Sequence, residues 1–271
     1  MQTKTNLVVK SNRLIEASYR LNVNELRIVL FSIVQTRETQ TGLFPDLPVT
    51  ISATAFAKQF GLDTKIVYSQ LKEAMDQLYD RSVLIHDVDP DTGFERVTKT
   101  RWISTASYID GAGNIQVIFA PKVIPYITRL ESEFTAYRIE KIGKMSSSYA
   151  MRLYELLVQY LAIGTRTIPT VALREALQLD DGKYKLMADL KRWVIDLAVE
   201  QINKHSDLTV SYKPQKTGRI ITALVFKIKS KDAEQKKKKV VVNDKTANPG
   251  ESYAAAKKRL EMEAAGQEKL L

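Results

Sequence analysis

The sequence predicts an α+β chain of two consecutive units, each a helix-turn-helix closed by a β-hairpin. Three observations carry that expectation. Apolar residues recur at helical spacing in 24–37, 64–79, 147–161 and 183–204. The order of elements around the first two segments repeats around the last two. The strings FAKQFGLD (56–63) and LREALQLD (173–180) fall at the same place in each unit.

The first unit begins with a helix over 24–37, where residues 26, 29, 30, 33 and 34 form one apolar face and Asn24 can serve as N-cap. Gly42, Pro45 and Pro48 interrupt the chain, and residues 48–51 read as a short strand. Ser52 or Thr54 starts a short helix that Gly61 stops. Asp63 or Thr64 caps the next, with Val67, Leu71, Ala74, Met75 and Leu78 inward. Strands are expected at 83–86 and 97–104, joined by the turn 89–93, with a further strand at 115–119 and a helix start near Pro121.

In the second unit the helix 147–161 ends at Gly164 and a short strand covers 167–169. A short helix at 171–177, a turn at 179–182 and a long helix at 183–204 follow. The strands 208–212 and 220–229 form a hairpin around 214–218. Helix-turn-helix plus a strand pair is the winged-helix arrangement. The expected boundaries are 1–140, 141–230 and a basic tail, 231–271, disordered or loosely helical. The tail holds the lysine run 236–239.

Composition narrows the function. The formal charge is +10 and the isoelectric point about 9.5. About half of that excess falls in residues 145–229. A basic balance favours a polyanionic partner, because neutralising phosphates releases counterions. The absence of cysteine excludes disulfides and thiolate metal sites and fits a reducing compartment. No run of 18 apolar residues and no signal-like start are visible, so no membrane is expected and a bacterial cytoplasmic location is.

Catalysis finds little support. His86 and His205 are isolated, no HExxH or GxxxxGKS/T string occurs, and Gly111–Gly113 reads as a turn before a strand. Asp180 and Asp181 sit where a helix cap is expected. The chain is therefore expected to be no enzyme, with neither metal nor cofactor.

Candidate DNA-reading residues come from the helix 183–204. Leu186, Leu190, Trp193, Val194, Leu197, Ala198 and Ile202 are expected inward. The opposite face carries Lys185, Ala188 and Arg192, suited to guanine edges and thymine methyls. Lys183, Tyr184 and Lys191 flank it as phosphate contacts. Lys213, Lys216 and Arg219 make the hairpin a basic wing for backbone or minor groove, unless it is an ordinary turn. The first unit is a weaker reader. It offers Lys65, Ser69, Lys72 and Glu73 on its second helix, and Arg96, Lys99 and Arg101, expected to share a strand face toward phosphate or solvent. A solvated basic face remains the alternative throughout.

Three stretches resemble one family: VVKSNRLIEASYRLNVNELRIVLFSI (8–33), FTAYRIEKIGKMSSSYAMRLYELLVQY (134–160) and KYKLMADLKRWVIDLAVEQINKHSDLTVSYKPQKTGRIITALVFKI (183–228). They are similar to the iteron-binding plasmid replication initiators with twin winged-helix domains, over roughly 7–230. Leu197 stands where many members have proline, and Gln201 where many have glutamate.

The resemblance implies binding to directly repeated origin sequences as a monomer. It also implies repression of the protein's own gene as a dimer on an inverted repeat, opening of an AT-rich segment, and recruitment of the host initiator and replicative helicase. It gives the second domain the main base-reading helix, and the first additional DNA contact and the dimer interface. A transcriptional regulator on the same fold, without a replication role, is the competing reading. A winged helix that binds protein is a third, and the basic face at 183–192 disfavours it.

Overall fold

The computed structural model describes residues 6–44, 47–89, 91–128, 133–179 and 182–231, together with Arg259 and Met262. The lysine run, the Asp180–Asp181 pair and nearly all of the expected tail lie outside the described residues.

The chain starts with β1 (Leu7–Ser11) and α1 (Asn12–Glu16). α2 spans Val23–Thr39 and is capped by Asn22, two residues before the expected cap. The Asn22 side chain accepts from the Glu25 amide, and the Glu25 carboxylate accepts from the Asn22 amide. β2 (Val49–Ser52) leads into α3 (Ala53–Phe60), capped by Ser52 and stopped by Gly61 in the left-handed region. α4 (Val67–Asp80) starts three residues later than the spacing predicts, because residues 64–66 form a turn.

Four strands follow: β3 (Ser82–Val88), β4 (Glu95–Arg101), β5 (Ile103–Ile109) and β6 (Asn114–Phe119). The expected strand 97–104 is thus two strands, broken at Trp102. α5 (Ile124–Thr128), β7 (Phe134–Arg138) and α6 (Glu140–Gly143) lead to α7 (Ser148–Val158). β8 (Thr165–Pro169) and α8 (Thr170–Ala176) precede one continuous helical stretch. It comprises α9 (Met187–Leu190), a π-helical turn (Lys191–Ile195) and α10 (Asp196–His205). β9 (Leu208–Thr217) and β10 (Ile220–Ser230) close the unit.

The sheets repeat one topology. In the first unit the order is β2-β6-β5, and in the second β8-β10-β9. Each time, the strand before the helix-turn-helix pairs antiparallel with the second strand of the hairpin that follows it. The wing of the first unit is therefore β5–β6, with Gly111–Gly113 at its tip, and the pair at 83–86 and 97–104 is not that wing. β3–β4 is a separate hairpin inserted before it and bridged to the N-terminal segment at Ser18 and Leu84. The two matching octapeptides also correspond in backbone. Their sixth residues, Gly61 and Gln178, both have positive φ, at 64° and 43°.

Sequence periodicity did not show the sheet β1–β7, which joins residues about 130 apart, with Val8 opposite Tyr137. α1 packs on α7, the sheet reaches α7 through the side chains of Lys10 and Tyr137, and the two units share one continuous apolar core. At the junction lies a buried polar cluster. Glu155 accepts from Lys10 Nζ at 2.7 Å, Tyr137 Oη at 2.5 Å, Tyr19 Oη at 3.2 Å and Arg152 Nη1 at 3.1 Å. Arg152 Nη2 also donates to the carbonyls of Ile15, Ala17 and Ala176, at 2.9, 2.9 and 3.2 Å. Trp102, fully buried, meets the Tyr19 ring edge-on at 4.7 Å.

Burial alone would push the Glu155 carboxyl upward, but Lys10, Arg152 and the Tyr137 hydroxyl outweigh it and hold it below its ordinary value. Burial lowers Lys10, and its attraction to Glu155 offsets only part of that. Burial keeps Tyr19 and Tyr137 protonated far above their ordinary value, so both remain donors.

Removing the anion from this cluster strands two buried cations. Glu155→Gln is expected to cost about 3–5 kcal/mol in urea unfolding. Replacing Lys10 and Glu155 together with Met and Gln should cost less, because Arg152 is then the one cation left in the cluster and keeps its three carbonyl acceptors. A carboxylate with a depressed folded pKa stabilises above its unfolded value, roughly 4.3, and that stabilisation is lost as pH falls through the lower folded value. Unfolding midpoints in wild type should fall below about pH 4, and that share of the fall should vanish in the double variant.

Candidate nucleic-acid interface

The second helix-turn-helix pairs α8 with the stretch that starts at Met187. The helix does not reach back to Lys183 as the spacing predicts. Arg174 of α8 explains why: its Nη1 donates to the Lys183 carbonyl at 3.2 Å, and its Nη2 to the Tyr184 carbonyl. Those carbonyls would otherwise accept from amides one helical turn on. Tyr184 has φ of 50°, the left-handed region, and its partly buried ring packs on the core. Lys183, Tyr184 and Lys185 therefore form a bent, non-helical lead-in, held by α8, to the first helical turn.

Within the helix, Ala188 and Arg192 are exposed, as is Lys185 before it. The inward face differs from the expected one. Leu190, Val194, Ile195, Ala198 and Ile202 are buried, whereas Leu186, Trp193 and Leu197 are 68%, 50% and 43% exposed. Val194 and Ile195, both within the π turn, face the core, and the inward face is rotated from the expected one toward Ile195 and Ile202. The Arg192 guanidinium stacks over the Trp193 ring at 4.8 Å.

The wing is anchored to the helix. Asn203 donates to the Val210 carbonyl at 2.8 Å and accepts from its amide at 2.6 Å. Tyr212 donates to Asp196, and Lys191 Nζ lies 5.9 Å from the Tyr212 ring. Burial and the Asp196 carboxylate push the Tyr212 hydroxyl well above its ordinary value, so it stays a donor. Gln201, at the position of departure, accepts from the Ser146 and Ser147 amides at 2.9 and 3.0 Å and so holds the entry to α7, which Ser147 caps.

Lys213 and Lys216 lie within β9 and not in a loop, since the turn is only Gly218 and Arg219. With a period of two they occupy opposite faces of the ribbon. Lys216 shares the face of Tyr212, toward the helix. Lys213, Lys216 and Arg219 are all exposed.

In the first unit most of the candidate cations are engaged internally. Lys72 Nζ binds Asp110 at the tip of β5–β6, at 3.0 Å, beside Tyr68, whose hydroxyl donates to the same carboxylate. The hydrogen bond from Tyr68 and then Lys72 hold Asp110 below its ordinary value. Arg96 forms a two-pronged pair with Asp87, at 2.9 and 2.8 Å, and reaches Asp89 at 2.8 Å. Arg101 binds Asp80 at 2.9 Å. The shared face expected of Arg96, Lys99 and Arg101 is corrected: β4 runs without a bulge, so Lys99 and Arg101 share one face and Arg96 takes the other. Ser69 donates to the Ile66 carbonyl at 2.8 Å. Lys65 lies in the turn before α4, its amide on Asp63 at 2.9 Å, and Glu73 and Lys99 are exposed.

Among the described residues no group of three His, Cys, Asp or Glu converges as a metal site. None of the helices there is long and apolar enough to cross a membrane.

Two winged helices in tandem, the second presenting a lysine- and arginine-flanked helix start and a basic ribbon, define a DNA-binding protein of the twin winged-helix class. Two family models match in the same order. "Initiator Replication protein, WH1" covers residues 7–158, and "Initiator Rep protein, WH2" covers 171–228. The chain belongs to this family of plasmid replication initiators. A curated Escherichia coli relative, an uncharacterized 27.6 kDa protein, is 24% identical over 228 residues, which are 81% of this chain and 94% of that one. The fold is similar to that of the Pi initiator protein, whose crystal structure is a complex with iteron DNA. The TM-score is 0.67 at 20% identity, over 83% of this chain and 98% of that one.

Arg174→Ala should free the lead-in carrying Lys183–Lys185. A stability loss of about 1–3 kcal/mol is expected by urea unfolding. Amide exchange at residues 183–188 should speed up more than in α10.

Proposed function

We propose that this protein initiates plasmid replication by binding directly repeated origin sequences as a monomer. The second unit, 141–230, lays its helix start in the major groove, with Lys185, Ala188 and Arg192 on base edges. Lys183, Tyr184, Lys191, Lys213, Lys216 and Arg219 hold phosphates. The observation that carries this reading is the exposed, Arg174-held lead-in and first turn, flanked by a basic ribbon bolted to the same helix. Membership of the initiator family and the likeness in fold to an initiator crystallised on iteron DNA support it.

The first unit, 1–140, is the auxiliary contact, through Lys65, Ser69, Lys72, Glu73, Arg96, Lys99 and Arg101, and the dimerisation surface. Its weaker part in reading follows from the carboxylates already bound to Lys72, Arg96 and Arg101. As a dimer the protein represses its own gene. As a monomer it helps open the origin and recruits the host initiator and replicative helicase. It works by binding and not catalysis, in the bacterial cytoplasm where the plasmid resides.

Footprinting over the surrounding plasmid should protect an array of direct repeats, and deleting the gene should abolish replication. Equal affinity for the repeats and for random duplex would overturn the reading. Arg192→Ala should cost about 1–3 kcal/mol and relax specificity at one position. Lys216→Ala should weaken all sequences alike and reduce the salt slope by about 1. Lys213→Ala, on the other ribbon face, should do less.

A further inference from the structure

We propose that Trp193 and Leu197, with Leu186 at the helix start, form an apolar flank that reads thymine C5-methyl groups in the major groove. This rests on the reading of the helix as DNA-facing. The core of the second unit is complete without these side chains: Leu190, Val194, Ile195, Ala198 and Ile202 fill the inward face, and the other three lie outside it. The three are 68%, 50% and 43% exposed in chain order. Trp193 and Leu197, four residues apart, are neighbours on the helix surface.

Exposed large apolar groups on the one helix poised for a groove call for an occupant with apolar chemistry of its own. The cation stacked on the flank selects which. Asp189, Asp196 and Glu200 also lie within one turn of the flank, and Asp196 is held by the Tyr212 hydroxyl; Lys185 and Arg192 are exposed beside it, with the Arg192 guanidinium over the Trp193 ring, 4.8 Å from its centre. This pairing of cation and ring suits an anionic partner. On duplex DNA the apolar feature of the major-groove edge is the thymine methyl. The indole that supports Arg192 also leaves its guanidinium free to donate to an adjacent base.

The test uses the full chain and duplexes selected by it from a random-sequence pool. Each thymine of the selected site is replaced singly by deoxyuridine, which removes the methyl and keeps every hydrogen-bonding group. Wild type should bind about four-fold more weakly at one or more of these positions, the equivalent of one buried methyl. Trp193→Ala and Leu197→Ala should bind the thymine duplex more weakly and be indifferent to deoxyuridine at the same position, while Trp193→Phe retains the discrimination. Far-UV circular dichroism of the alanine variants should match wild type, since both side chains lie outside the core. Wild-type indifference at every thymine, or alanine variants as sensitive as wild type, would overturn the proposal and leave DNA recognition by the helix intact. Selection that enriches no sequence would overturn both.

Discussion

Glu155 is the anion on which the junction of the two units depends. It sits fully buried on α7 and gathers Lys10 from β1, Tyr19 from the segment after α1, Tyr137 from β7 and Arg152 one helical turn away. Arg152 adds the carbonyls of Ile15, Ala17 and Ala176, so one guanidinium touches both the N-terminal segment and the second helix-turn-helix. Such a cluster gives little net stability over an apolar one of the same volume, because desolvating the charges consumes most of the attraction. What it provides is geometry. Directional bonds from five segments are satisfied together in only one arrangement of the two units.

The second constraint is the π turn at Lys191–Ile195. Val194 and Ile195, side by side within it, are both buried, while Trp193 and Leu197 are turned outward. A helix that must fill a core on one side and present a surface on the other gains from this. The core is satisfied by small aliphatic side chains, and the largest residue of the helix is left for the outer face. Arg174 acts at the same helix from its beginning, where it holds two carbonyls and sets the lead-in apart from the first turn.

The asymmetry between the units has an electrostatic origin. In the first, Lys72, Arg96 and Arg101 are paired with Asp110, Asp87, Asp89 and Asp80, which brace the wing and the inserted hairpin. In the second, Lys185, Lys213, Lys216 and Arg219 stand exposed along the helix start and ribbon. A similar density of basic residues thus has two uses, one within the protein and one facing outward.

The sequence by itself determined the fold class and the repeat. Period, caps and turn residues are local signals, and they located α2, α3, α7, α8 and the β9–β10 hairpin to within a few residues. It also placed Ala188 and Arg192 outward, opposite the face read as inward, and both are exposed. Only the tertiary structure decided the rest. Pairing of β1 with β7 joins residues about 130 apart, and no local pattern encodes a partner at that distance. Lys10, Arg152 and Glu155 left a trace, charges inside otherwise apolar segments, but what they meet depends on that pairing. The start of the helical stretch at Met187 depends on a guanidinium from α8. The outward turn of Trp193 and Leu197 depends on how two neighbouring aliphatic residues fit the core, and an ideal helical wheel does not contain that information.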